Sequence, residues 1–139
     1  AIVPGLARGP LVGGNLTLLV SLLGTPYEPD TRGALLFLED IGEEPYRLDR
    51  MMNQLRQAGK LDAAAGILLG DFTDCEVSKR RGSFTSGEVL EHYVRQAGKP
   101  SLAGLRIGHG SPNIAVPIGA EAFLNTETGS VEALSPAFR

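Results

Sequence analysis

The 139-residue sequence lacks the features that nucleic-acid-binding, membrane and disulfide-stabilised proteins need. Thirteen Lys and Arg stand against sixteen Asp and Glu, and the basic residues are scattered except at Lys79-Arg80-Arg81, so no nucleic-acid partner is predicted. No apolar run approaches the roughly 18 residues that span a bilayer, so no membrane partner is predicted. The single cysteine, Cys75, cannot form an internal disulfide, which fits a reducing compartment and favours the cytoplasm.

Activated nucleophiles and metal ligands are equally scarce. No Gly-x-Ser-x-Gly motif occurs; Ser83 and Ser86 stand at a predicted helix start, and Ser111 precedes Pro112, where turn hydrogen bonding is the simpler explanation. Cys75 has acidic neighbours, which raise a thiol pKa and disfavour a Cys-His enzyme. Zinc usually takes three or four His, Cys or carboxylate ligands at recognisable spacing. Because none are clustered here, neither a metal nor another cofactor is predicted.

The start of the chain suggests a piece of a longer protein. Residue 1 is Ala, not Met, and residues 1–14 are dense in Gly and Pro, as in a linker. We therefore expect residues 1–13 to form the end of an interdomain linker and the first strand, and residues 14–139 to form one domain. A chain of this length is expected to bury a single core.

Hydrophobic patterns predict an α/β fold. Continuous apolar runs at Gly33–Leu38 and Gly66–Leu69 are typical of buried strands, and the three-and-four apolar spacing between Tyr46 and Ala58 predicts an amphipathic helix joining them as a βαβ unit. A capping box at Thr85 and Glu88 begins another helix. The predicted class is a mixed sheet with packed helices.

Two further segments complete this prediction. Asn15 is expected to cap a short helix through Leu23 that is apolar almost all round and therefore buried. The last forty residues predict a C-terminal β meander of short strands separated by Gly, Pro and Asn. The strand candidates are Leu105–Ile107, Ala115–Ile118, Ala120–Leu124 and Ser130–Leu134.

The candidate chemistry centres on one histidine and one acidic pair. His109 follows an apolar segment between two glycines, which would let the backbone turn and bring an imidazole into a cleft, although a structural loop histidine is equally consistent. Either Glu39 or Asp40, at the end of a predicted strand, could orient it as a general base. His92 lies on the polar side of a predicted helix and is interpreted as solvated. Glu43 and Glu44 are interpreted as the acidic first turn of a helix.

Several motifs taken in order resemble those of the LD-carboxypeptidases, the serine peptidase family that trims bacterial murein tetrapeptides. The resemblance covers nearly the whole chain, and it includes the separation of seventy residues between Glu39 and His109. Its motifs are Gly13-Gly14-Asn15-Leu16, Leu22-Leu23-Gly24-Thr25-Pro26, Phe37-Leu38-Glu39-Asp40-Ile41-Gly42-Glu43, Arg47-Leu48-Asp49-Arg50-Met51, Gly108-His109 and Pro117-Ile118-Gly119.

The resemblance implies a Ser-His-Glu triad to which this chain, as a C-terminal domain, contributes Glu39 and His109. It places the serine on an N-terminal domain, and it implies a swivelling β/β/α domain and a full-length homodimer. The implied reaction is hydrolysis of the amide between the L-centre of a diamino acid and the terminal D-alanine of murein tetrapeptide, in cytoplasmic peptidoglycan recycling. Asn113 is placed at the edge of the site. The 139 residues alone are predicted to be inactive, because they lack a nucleophile.

Two alternatives stay open at this point. A relative within the family that cleaves a peptide-nucleotide antibiotic and confers microcin immunity would use the same triad, with a different substrate pocket. The chain could instead be a non-catalytic interaction or dimerisation module whose cleft residues are structural.

Overall fold

A mixed six-stranded sheet is the framework of the computed structural model, which describes residues 1–76 and 83–134. The basic run Lys79-Arg80-Arg81 lies outside the described residues. Strands β1 to β4 pair in parallel, and the hairpin of β5 and β6 adds antiparallel to β1, giving the order β4-β3-β2-β1-β5-β6. The strands are β1 Leu6–Asn15, β2 Leu35–Ile41, β3 Gly66–Thr73, β4 Ser101–Leu102, β5 Glu121–Asn125 and β6 Ser130–Ala133. The predicted mixed α/β fold is therefore confirmed.

The helices of the described residues pack on one face of this sheet. They are α1 Leu16–Leu22, α2 Pro45–Gln57, α3 Lys60–Ala63 and α4 Ser86–Ala97. Their buried side chains share one apolar cluster with Leu36 and Leu38 of β2, whereas Leu35 and Phe37 face a second cluster with β5. This alternation follows from the period of two in a strand. The second face is covered by the curled β5-β6 hairpin and by residues 103–119, which form no helix or strand.

The two amphipathic helices form where their local signals predict. α2 begins at Pro45, whose fixed φ suits the first turn, and it buries Leu48 and Met52 fully. α4 begins with the predicted capping box, in which Thr85 accepts from the Glu88 amide and Glu88 accepts in return. Both helix predictions are therefore confirmed. α2 belongs to the crossover of the predicted βαβ unit between β2 and β3, and α4 connects β3 to β4.

Three expectations about other segments are wrong. α1 is capped by Asn15 as predicted, but only Leu16 and Leu19 are buried, and Leu18 is 63% exposed. Leu105–Ile107 and Ala115–Ile118 are not strands. The division into residues 1–13 and 14–139 stays a prediction, and the strand β1 continues to Asn15.

Candidate active site

The end of β2 and the loop around His109 meet at one edge of the sheet. Glu39 pairs with Asn15 of β1 across the parallel ladder, at the carboxyl ends of both strands. Its Oε2 lies 2.8 Å from Nδ1 of His109. The Glu39 side chain is only 9% exposed, whereas that of His109 is 46% exposed. The structure thus brings together the two residues that the sequence singled out, as a buried carboxylate and a half-exposed imidazole.

This contact fixes which imidazole nitrogen can act as a base. An ionised carboxylate only accepts hydrogen bonds, so Nδ1 must carry the proton that bonds to Glu39. The neutral ring then presents Nε2 as an acceptor, which is the tautomer required to remove a proton from a hydroxyl. A buried negative charge would also stabilise the imidazolium, because a Coulombic interaction is stronger at lower effective dielectric.

The other carboxylate that the sequence left open, Asp40, has different partners. Its Oδ1 accepts from Asn15 Nδ2 at 2.8 Å, and its Oδ2 accepts from the amide and hydroxyl of Thr17 at 3.0 and 2.8 Å. Oδ1 also accepts from its neighbouring Ile41 amide at 2.8 Å. Only 2% of Asp40 is exposed. Asp40 therefore joins the start of α1 to the end of β2, and it does not orient His109.

The pleat of β2 explains why Asp40 and Glu39 have different partners. Successive strand residues point to opposite faces. Asp40 has the parity of Leu36 and Leu38 and faces the helices, whereas Glu39 has the parity of Phe37 and faces the side covered by residues 103–119. The apolar run in the sequence contains this alternation, but the sequence does not reveal which face the histidine loop covers.

A tight turn at Arg106 directs the loop towards Glu39. The Ile107 amide donates to the Leu105 carbonyl at 2.8 Å, a bond typical of a γ-turn. Two hydrogen bonds to β3 flank this turn. The Leu105 amide donates to the Leu69 carbonyl at 3.3 Å, and the Asp71 amide donates to the Ile107 carbonyl at 2.7 Å. Three loop residues thus stand opposite one residue of β3, which is why the predicted strand at Leu105–Ile107 does not form.

The loop is held on its far side by Asn113. Its Oδ1 accepts from the Gly108 amide at 3.2 Å, and the next residue, Ile114, donates its amide to the Arg106 carbonyl at 2.8 Å. The sequence placed Asn113 only at the edge of the site. A second carboxylate, that of Asp71 on β3, lies against Gly110. Sequence reasoning missed it, although an acidic residue that follows an apolar run in a buried strand could have identified it as a candidate site residue.

No hydrogen bond or ion pair joins the remaining candidates to Glu39 or His109 among the described residues. His92 is exposed on α4, as predicted, and Ser111 is exposed in the loop. Cys75 is fully buried, and its pKa is raised mainly by burial and further by the charges of Asp40 and Glu43. From the sequence, the raised pKa was attributed to acidic neighbours in the chain, but burial is the larger cause. The described residues hold no group of three or more His, Cys, Asp or Glu arranged to bind a metal ion.

Residues 8–124 match the model of a protein family described as the LD-carboxypeptidase C-terminal domain. The chain belongs to this family. Across 134 residues it is 60% identical to a probable murein peptide carboxypeptidase of Bacillus subtilis, covering 95% of this chain and 42% of that protein. It also resembles the crystal structure of muramoyltetrapeptide carboxypeptidase from Oxalobacter formigenes, with a TM-score of 0.82 and 35% identity, covering 91% of this chain and 45% of that one.

A more distant relative is the microcin C7 self-immunity protein of Escherichia coli, which is 29% identical over 91% of this chain and 37% of its own length. The LD-carboxypeptidase domain described here thus spans less than half the length of the relatives it matches. None of the helices in its described part has the length and apolar character needed to cross a bilayer.

Proposed function

We propose that this chain is the C-terminal lobe of a serine-type LD-carboxypeptidase, and that Glu39 and His109 are two members of its Ser-His-Glu triad. The proposal depends on one observation, the 2.8 Å contact between Glu39 Oε2 and His109 Nδ1 at an open edge. A purely structural ion pair does not need a half-exposed imidazole. This geometry favours catalysis over a non-catalytic interaction module.

In the proposed mechanism, His109 Nε2 removes the proton from a serine hydroxyl on the N-terminal lobe. The serine oxygen attacks the carbonyl carbon of the amide to D-alanine, and Glu39 stabilises the imidazolium that forms. The imidazolium then returns its proton to the leaving amine, so that D-alanine departs and an acyl-enzyme remains. Water hydrolyses the acyl-enzyme with His109 again acting as base.

The substrate class we propose is murein tetrapeptide, cleaved between the L-centre of its diamino acid and D-alanine. The 60% identity to a probable murein peptide carboxypeptidase, against 29% to the microcin self-immunity protein, supports this choice over a peptide-nucleotide antibiotic. We further propose that the full-length protein acts in peptidoglycan recycling in the cytoplasm and forms a homodimer.

The test is a set of three variants in the full-length protein, assayed for D-alanine release from murein tetrapeptide. We expect His109→Ala to lower kcat by about 10³-fold or more, and Glu39→Gln by about 10²- to 10⁴-fold, because loss of either member disables a triad. His92→Ala is the matched control, since His92 is an exposed helix residue away from the pair, and its kcat should equal that of the wild type. If His109→Ala keeps its kcat, the proposal is wrong.

Two further assays address the rest of the proposal. The 139 residues alone should release no D-alanine, because the general base has no nucleophile to activate. The full-length protein should prefer the tetrapeptide to a peptide-nucleotide antibiotic in kcat/KM. The opposite preference would favour the immunity function and leave the roles of Glu39 and His109 in place.

A further inference from the structure

The segment that carries His109 lacks the rigidity of a helix or strand. Residues 103–119 form neither, and most of their side chains are exposed. Glu39 is part of β2, which has a parallel strand on each side, and it pairs directly with Asn15 of β1, so the sheet sets its position. On the β3 side the register shifts between Leu38 and Asp40. A catalytic base needs to be held within about 0.5 Å of its working geometry. Something in the loop must therefore supply the precision that the sheet supplies to Glu39.

Gly108 links the position of His109 to that of Glu39. It precedes His109, and its backbone passes directly over the Glu39 carboxylate: a Cβ at Gly108 would lie 2.7 Å from Oε2 and 3.0 Å from the Glu39 Cβ. Any shift of this peptide away from Glu39 carries the imidazole with it. The Gly108 amide donates to Asn113 Oδ1 at 3.2 Å, across the loop.

The geometry points to Asn113 as a positioning residue for His109, an inference that rests on the proposed function. Its carbonyl oxygen holds the Gly108 peptide against Glu39, and the adjacent bond from Ile114 to Arg106 anchors Asn113 to the base of the loop. The imidazole is thereby kept in bonding range of Glu39 through its Nδ1. Asn113 is exposed, so its side chain contributes little to the core.

The size of the effect follows from the single bond that is lost. A neutral hydrogen bond of ordinary net strength changes an equilibrium by about threefold to tenfold. Asn113→Ala should therefore lower the population of the competent loop, and with it kcat, by about that factor, with KM unchanged. Asn113→Asp keeps an oxygen acceptor of the same shape and should restore kcat to within about twofold of the wild type at a pH where the carboxylate is ionised.

The experiment measures kcat, KM and Tm of the full-length protein on murein tetrapeptide for four variants. Asn125→Ala is the matched control: Asn125 Oδ1 accepts from the amides of Glu127 and Thr128 in the β5-β6 turn, so the same kind of bond is lost far along the chain from His109. It should leave kcat unchanged. His109→Ala completes the set and reports on the proposed function itself.

The outcomes separate the two ideas. A loss of kcat in Asn113→Ala that is restored in Asn113→Asp, with Asn125→Ala unaffected, supports the positioning role. If His109→Ala loses activity but Asn113→Ala does not, this inference alone is overturned. If Asn113→Ala raises KM at constant kcat, or Asn113→Asp fails to restore activity, the side chain contacts substrate through its amide group and the inference is overturned. If His109→Ala keeps full activity, both ideas fail together.

Discussion

Replacing Gly108 with alanine tests whether the close approach of the loop to Glu39 matters for catalysis. Gly108 has a φ of +130°, which L side chains rarely adopt, and its missing Cβ leaves room for the carboxylate. An alanine Cβ would lie 2.7 Å from Glu39 Oε2, well inside van der Waals contact, so one of the two groups must move. Glu39 is held in the sheet, so we expect the loop to yield.

The magnitude follows from two contributions. A residue held in this backbone region costs about 1–3 kcal/mol, which the loop can avoid by rotating the peptide and displacing His109. A misplacement of about 1 Å in a catalytic group costs on the order of 10²-fold in rate. We therefore expect Gly108→Ala to lower kcat by about 10²-fold, with a small change in Tm because the loop adds little to the core.

Gly104→Ala in the same loop is the matched control. Gly104 also has a positive φ, +78°, but a Cβ there would meet no atom within 4 Å. It shares the backbone penalty of about 1–2 kcal/mol without the collision with Glu39. Both variants should be assayed in the full-length protein on murein tetrapeptide, with Tm measured alongside. Equal kcat values for the two variants would refute the argument that the Gly108 peptide places His109 against Glu39.

Two predictions concern stability rather than catalysis. Asp40→Ala removes a buried carboxylate that accepts from Asn15 and Thr17, and it should lower the free energy of unfolding by about 2–4 kcal/mol in a urea titration; a change below about 0.5 kcal/mol would contradict the role given to it. The Arg32 guanidinium and amide lower the pKa of Asp30 from 3.8 to about 2. Because the folded pKa lies below the unfolded one, this contribution is present above pH about 4 and is lost as the pH falls towards 2. Tm should therefore fall less steeply in Asp30→Asn than in the wild type over that range, and equal slopes would count against it.

The parts of the fold that local signals specify could be predicted from the sequence. α2 and α4 have a clear apolar period with a proline or a capping box at the start, and β2 is a continuous apolar run. The burial of α1 could not be predicted in the same way. Its leucines point in every direction, but this seven-residue helix packs on one side only, so that Leu18 stays 63% exposed.

The meander was predicted only in part, because short apolar segments do not reveal their backbone path. The β5-β6 hairpin forms where the sequence predicted strands. Leu105–Ile107 has the composition of a strand, but its γ-turn depends on contacts with β3, which no local pattern encodes. The two-residue strand β4 is shorter than any period can detect. The sequence located Glu39 and His109, but it did not identify the bond from Gly108 to Asn113, because that bond depends on the path of the loop.

The way the two residues are held also determines what their removal does to the protein. Glu39 is buried in a strand, and its side chain is hydrogen-bonded to His109. His109→Ala would therefore leave a buried carboxylate without that donor. An unpaired buried acceptor costs about 1–3 kcal/mol unless water replaces the donor. Here 46% of the imidazole side chain is exposed, so water can enter the vacated space and satisfy the carboxylate. Truncating the histidine should therefore remove the base at little cost to the fold, and this makes the kinetics of that variant a clean measure of its chemistry.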